Sequence, residues 1–169
     1  MRAGDIIAMK GNSGWMSNLV TNVGGTDVSH VALIIAVDPF PIVIESVNPR
    51  VRTIPLDIAI EDHSPVYLLK NLKLLLSQRW HIVREALKFS TRDYSFLQCA
   101  IAGLDEITRS RWFSQHQITP EAPMCSWLVA EGYKAAGLDF GEPAAGTGPW
   151  DIKKFADTHP DIYQVLRLR

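Results

Sequence analysis

The sequence predicts an α+β domain, and three observations predict it. Short apolar runs separated by turn residues fill the first 71 positions, the apolar period lengthens to that of helices from Leu74 onward, and the chain closes on "YQVLRLR", a last strand. Strands followed by helices, rather than alternating with them, imply an antiparallel sheet or open barrel packed against helices. At 169 residues, 47% of them apolar, the chain can bury one ordinary core, so a single domain over 1–169 is expected.

Taken in order, "DIIAM" (5–9) is a short strand closed by "KGNSG". "WMSNLVTNV" (15–23) sets Trp15, Met16, Leu19, Val20 and Val23 at helical spacing, and Gly24 and Gly25 end that helix. "HVALIIAV" (30–37) is β-branched and apolar throughout, and "DPFP" (38–41) breaks it because proline fixes φ and removes a ladder donor. "IVIESV" (42–47), "VRTIPL" (51–56) and "VYLLKN" (66–71) continue a meander. From Leu74, an amphipathic helix puts Leu76, Trp80, Val83 and Leu87 on one face, with Arg79, Arg84, Glu85 and Lys88 mostly elsewhere. "YSFLQCAIAGLDEI" (94–107) reads as a more buried helix and 108–123 as a polar connection. "MCSWLVAEGYKAAG" opens another helix, 141–150 is a Gly- and Pro-rich loop, and "DIKKFADTH" is a short last helix.

Net charge is −1 and the pI about 6.5, which gives no positive field for nucleic acid or anionic lipid. The apolar runs near Met1 are too short for an export signal or a membrane span, so the chain reads as cytoplasmic with no integral membrane association; release by lysis or a dedicated secretion route stays open. Two cysteines, Cys99 and Cys125, do not make a disulfide framework, and both are read as free thiols. No HExxH, CxxC or zinc-spaced His/Cys cluster occurs, nor a G-x-S-x-G elbow or a phosphate-binding glycine loop. No metal or other cofactor is expected.

Cys125 stands at the mouth of its helix. Leu128, Val129, Gly132 and Ala136 follow at spacings of one face, which docks the helix, and Gly137 with Leu138 and Tyr133 provides a Schellman stop. Pro120 and Pro123 keep the incoming chain extended, so orphan N–H groups gather near the sulfur. Such donors favour a thiolate, or the oxyanion of a tetrahedral intermediate. Taken alone, a cysteine there is more often packing than chemistry. Cys99, in the middle of a buried helical pattern, has only the packing role.

A thiolate nucleophile needs an imidazole base oriented by a third polar group. His30 opens the most hydrophobic strand. Glu45 is a carboxylate inside an apolar one, costly unless paired. If the hairpin closes by pairing Val37 with Ile42, partners add to an odd number; His30 and Glu45 then share a face, with an offset that a bulge at Pro39 or Pro41 would alter. His63 and His159 sit in loop signatures and are expected to be solvated, and His81 and His116 read as ordinary.

These residues carry a family resemblance. "GDIIAMKG", "SHVALII", "VIES", "MCSWLVAEGYKAAG" and "GPWDIKKFAD", in that order over nearly the whole chain, resemble the circularly permuted branch of the NlpC/P60 papain-like superfamily, the YiiX/YebB-like group. In that branch the histidine strand precedes the cysteine helix, as here. The resemblance implies a permuted papain-like fold, with Cys125 as nucleophile, His30 as base and acid, Glu45 orienting the ring and Asp5 in a structural role. Met124 and Trp127 depart from relatives, which often carry an aromatic before the cysteine and an acid two after it. The activity implied is a cysteine hydrolase cleaving an amide through an acyl-enzyme, on a small peptide or peptidoglycan-like substrate. Two alternatives stand beside it. One is a lipid acyltransferase or thioesterase of the lecithin:retinol acyltransferase type, with Trp15, Met16, Leu19 and Val20 lining an acyl groove; the other is a binding domain without turnover.

Overall fold

The computed structural model of the chain describes residues 1–10, 27–93 and 124–169. The expected helices over 15–23 and 94–107, the connection 108–123, Cys99, His116, Pro120 and Pro123 lie outside these residues. Among the described residues the fold is mixed α and β, with six antiparallel strands in one sheet and four α-helices. The strands are β1 (Ile6–Met9), β2 (His30–Ala36), β3 (Ile42–Val47), β4 (Arg50–Pro55), β5 (Val66–Asn71) and β6 (Tyr163–Arg167), in spatial order β4-β3-β2-β1-β5-β6. The helices are α1 (Leu56–Ile60), α2 (Leu76–Leu87), α3 (Cys125–Lys134) and α4 (Pro149–Thr158).

Both faces of the sheet are covered, which is why β2 reads as apolar without alternation. Val31 and Leu33 pack with Ile6, Ala8 and Ile44 against Leu128, Val129 and Tyr133 of α3. Ala32 and Ile34 pack with Ile7, Met9 and Val43 against Leu56 and Ala59 of α1 on the opposite face. Helix α1, five residues after "VRTIP", is too short to register as a period in the sequence.

Three expectations are corrected. The α2 stripe of Leu76, Trp80, Val83 and Leu87 does not face the core: Leu76 is 85% and Trp80 57% exposed, while Arg79, Ile82 and Ala86 are buried. Arg79 turns inward because its Nη1 donates to the Ala3 carbonyl (2.7 Å) and Asp5 Oδ1 (3.0 Å), and its Nη2 to the Asn71 carbonyl (2.7 Å). A period count assigns such a cation to the wet side. Helix α4 starts at Pro149, inside the predicted loop, with proline at a first-turn position that needs no donor and the Gly148 N–H bonded to Asp151 Oδ2 (2.9 Å). The β2–β3 hairpin closes with Ala36 opposite Ile42 rather than Val37.

Helix α3 ends as its residues imply. Gly137 takes φ +75°, Leu138 N–H donates to the Tyr133 carbonyl (3.1 Å), and Gly137 N–H to that of Lys134 (2.9 Å), the paired bonds of a Schellman motif. Its middle lies close to α2, since a Cβ on Gly132 would stand 3.2 Å from the Ile82 carbonyl oxygen. The Tyr133 hydroxyl donates to the Gly4 carbonyl (2.7 Å), tying α3 to the turn before β1.

Candidate active site

The register of β2 on β3 decides whether His30 and Glu45 can meet. Partners continued from Ala36↔Ile42 would add to an even number, placing the two side chains on opposite faces. A register shift between Ile34 and Ala36 inserts one residue, and beyond it Ile34↔Val43 and Leu33↔Ile44 restore the odd sum. The bulge therefore lies on β2, not at Pro39 or Pro41. His30 and Glu45 share a face as diagonal neighbours, and His30 Nε2–H donates to Glu45 Oε2 at 2.7 Å. Only 1% of Glu45 is exposed, so its pairing offsets the burial cost that its place in an apolar strand implies.

The β2–β3 ladder ends at Leu33↔Ile44, short of His30. Ile34 N–H donates to the Asp5 carbonyl on the β1 side, so by alternation Val31 N–H faces the side of β3 that has opened. Cys125, the first residue of α3, enters there: the N–H groups of Val31 and Ser126 both donate to its sulfur. With Nε2 of His30 taken by Glu45, the other ring nitrogen, Nδ1, remains for the hydrogen bond between His30 and Cys125. Cys125 is partly exposed, whereas His30 is 9% exposed and Glu45 1%, so access to the group runs past the cysteine.

Electrostatics follow this order. Burial disfavours the charged form of each group, and the partners outweigh it. The charge and hydrogen bond of Cys125, then those of Glu45, push His30 up to about 10. Burial raises the Cys125 thiol, but the His30 charge and hydrogen bond and the two backbone N–H groups bring it below the ordinary thiol range. Glu45 resists burial through His30 and then Arg52, and its carboxyl is lowered.

Two neighbours went unnoticed in the sequence. Arg52 donates to Glu45 Oε1 from Nε (2.8 Å) and approaches it with Nη2 (2.7 Å). A signal existed: "VNPR" is a two-residue hairpin loop, which pairs Val47 with Arg50 and therefore Glu45 with Arg52, as observed. His63 lies in a loop and is partly exposed, as expected, but it is held in place. Its ring lies 6.3 Å from that of His30 at 24°, and its Nδ1–H donates to the Lys10 carbonyl (2.7 Å). Met9 pairs with both His30 and Val66, so the residues just before β5 gather at the same sheet end. His159 is likewise held, stacked on Phe155 at 4.0 Å and donating from Nδ1 to its carbonyl (2.8 Å). His81 sits on the surface beside Trp80. Asp5 closes the first turn, accepting from Arg2 N–H (2.8 Å), and pairs with Arg79.

The Ser126 hydroxyl is buried without a hydrogen-bond partner among the described residues, although its backbone N–H serves the sulfur. An unpaired buried hydroxyl is a net cost. Ser126→Ala should raise the unfolding free energy by about 1 kcal/mol, read from urea midpoints, and leave Cys125 reactivity unchanged.

No protein-family model matches the chain, and no curated protein matches it significantly. Among solved structures the chain is similar to the metalloprotein YiiX from Escherichia coli O157:H7, DUF1105. The TM-score is 0.64 at 19% identity, over 83% of this chain and 69% of that one. At that identity the likeness is one of fold. Among the described residues of this chain, no group of three or more His, Cys, Asp and Glu side chains is arranged to hold a metal ion. No helix among the described residues is long and apolar enough to cross a membrane.

Proposed function

We propose that this protein is a cysteine hydrolase that cleaves an amide bond of a small peptide or peptidoglycan-like substrate, on a circularly permuted papain-like framework of the NlpC/P60 type. The observation that carries the reading is a partly exposed cysteine at a helix N-terminus, its sulfur hydrogen-bonded to an imidazole that a buried carboxylate holds from behind. The fold likeness to YiiX and the order of the histidine strand before the cysteine helix support the framework.

In this mechanism the Cys125 thiolate attacks the substrate carbonyl carbon and forms the C–S bond. The carbonyl oxygen takes up the displaced electron pair at the start of α3, where first-turn N–H groups have no intrahelical acceptor. Collapse of the intermediate breaks the C–N bond, and the leaving amine takes the proton from His30 Nδ1. Water then attacks the thioester, giving one proton to His30, and the C–S bond breaks to release the acid and restore the thiolate. Glu45 keeps the ring in place throughout and offsets its positive charge whenever it is protonated.

Trapping the acyl group tests this reading. After brief exposure to muropeptides or phospholipids, intact-mass analysis should find a peptide-derived acyl adduct on Cys125, absent from Cys125→Ala. A fatty acyl adduct would reassign the protein to lipid acyl transfer, whose expected groove residues, Trp15, Met16, Leu19 and Val20, lie outside the described residues. No adduct with any acyl donor, together with an unreactive thiol, would leave a binding domain.

A further inference from the structure

We propose that Arg52 is a positioning residue of this site: it keeps Glu45 ionised and turned toward His30, and through those two residues it sets the pH above which Cys125 is a thiolate. The inference rests on the ion-pair reading of Cys125 and His30.

The two oxygens of Glu45 are divided between two partners. Nε and Nη2 of Arg52 both address Oε1, leaving Oε2 for His30. The division is fixed by the backbone, since Glu45 and Arg52 are directly opposed across β3 and β4. Exposed ion pairs contribute little, and the Arg52 side chain is 46% exposed, but its partner is almost wholly buried. A buried carboxylate that loses one cation becomes easier to protonate. Once neutral it no longer favours the imidazolium, and the imidazolium no longer favours the thiolate. The groups that bear on this chain of effects are His30 from β2, Arg52 from β4, Cys125 from α3, and His63 from the segment before β5, whose ring neighbours His30. A surface ion pair that merely fastens β4 to β3 would alter stability without moving the reactivity profile.

Alkylation of Cys125 by neutral iodoacetamide, followed against pH by peptide mapping, separates these roles. Arg52→Gln retains hydrogen-bonding capacity without charge; its acid limb should move upward by about one pH unit, about a tenfold loss of rate on that limb. Arg52→Lys keeps the charge but not the fork and should shift the same way by less. Circular dichroism establishes which variants fold, and an unshifted limb in whichever folds overturns the assignment of Arg52 while leaving the hydrolase reading intact. An ordinary thiol profile in the unmodified protein would instead remove the ion pair, and both readings with it.

Discussion

Replacing His30 by alanine should slow alkylation of Cys125 at pH 7 by about thirtyfold or more, because a thiol of ordinary or raised pKa is at most about 3% ionised there. With the imidazolium gone, the largest remaining influence on the sulfur is burial, which favours the thiol; the Val31 and Ser126 N–H groups offset it only in part. In the unmodified protein the pair persists from below the ordinary thiol range up to about 10, where His30 loses its proton. Alkylation continues above that pH, since a free thiolate also reacts. Amide turnover falls there, because the leaving amine needs the His30 proton. The same shifts make stability fall at opposite ends of the pH range. The raised His30 value contributes stabilisation that is complete below 6.5 and is lost as pH climbs through about 10. The lowered Glu45 value contributes stabilisation present above 4.5 and lost as pH falls through the folded value. Peptide mapping is required because the chain also carries Cys99. An alkylation profile unchanged in His30→Ala would dissolve the ion pair.

Short apolar runs and turn residues locate the six strands among the described residues, and the bounds of β3 and β5 match to the residue, because a proline, Pro41 or Pro65, immediately precedes each. The juxtaposition of His30 with Glu45 was also legible, as two polar anomalies in apolar strands that resolve each other's cost. The bulge that brings them together was not placed correctly. It lies within an unbroken apolar run, where no residue marks an insertion and both faces bury equally well. His63 and Arg79 escaped for a related reason. Each is polar in a context that usually means solvent, and each is held by backbone carbonyls from distant segments, Lys10 for one and Ala3 with Asn71 for the other. Such acceptors leave no trace in side-chain pattern, so only the register of β1 against its two neighbours reveals them.

Arg79→Met should cost about 3–5 kcal/mol of unfolding free energy, a large share of the roughly 5–15 kcal/mol that folding typically leaves, although the residue belongs to a helix whose charged positions were expected to face water. The side chain is 6% exposed and Asp5 wholly buried, so removing the guanidinium strands a carboxylate that keeps only the Arg2 N–H among its described partners. It also frees the carbonyls of Ala3 and Asn71, which come from the turn before β1 and the end of β5. Methionine fills the volume but supplies no donor, which isolates the polar loss from cavity formation. Pairing the change with Asp5→Leu removes the stranded charge, so the double variant should recover a substantial part of the loss, a coupling that a double-mutant cycle in urea reads directly. Strict additivity of the two single costs would mean that Asp5 and Arg79 act separately. The cluster also bears on the site, because the same turn offers the Gly4 carbonyl to Tyr133 and so fixes α3 against the sheet. Loosening that turn should widen the spread of Cys125 positions relative to Val31 and lower the thiol's reactivity in the folded fraction, an effect measurable by alkylation well below the unfolding midpoint.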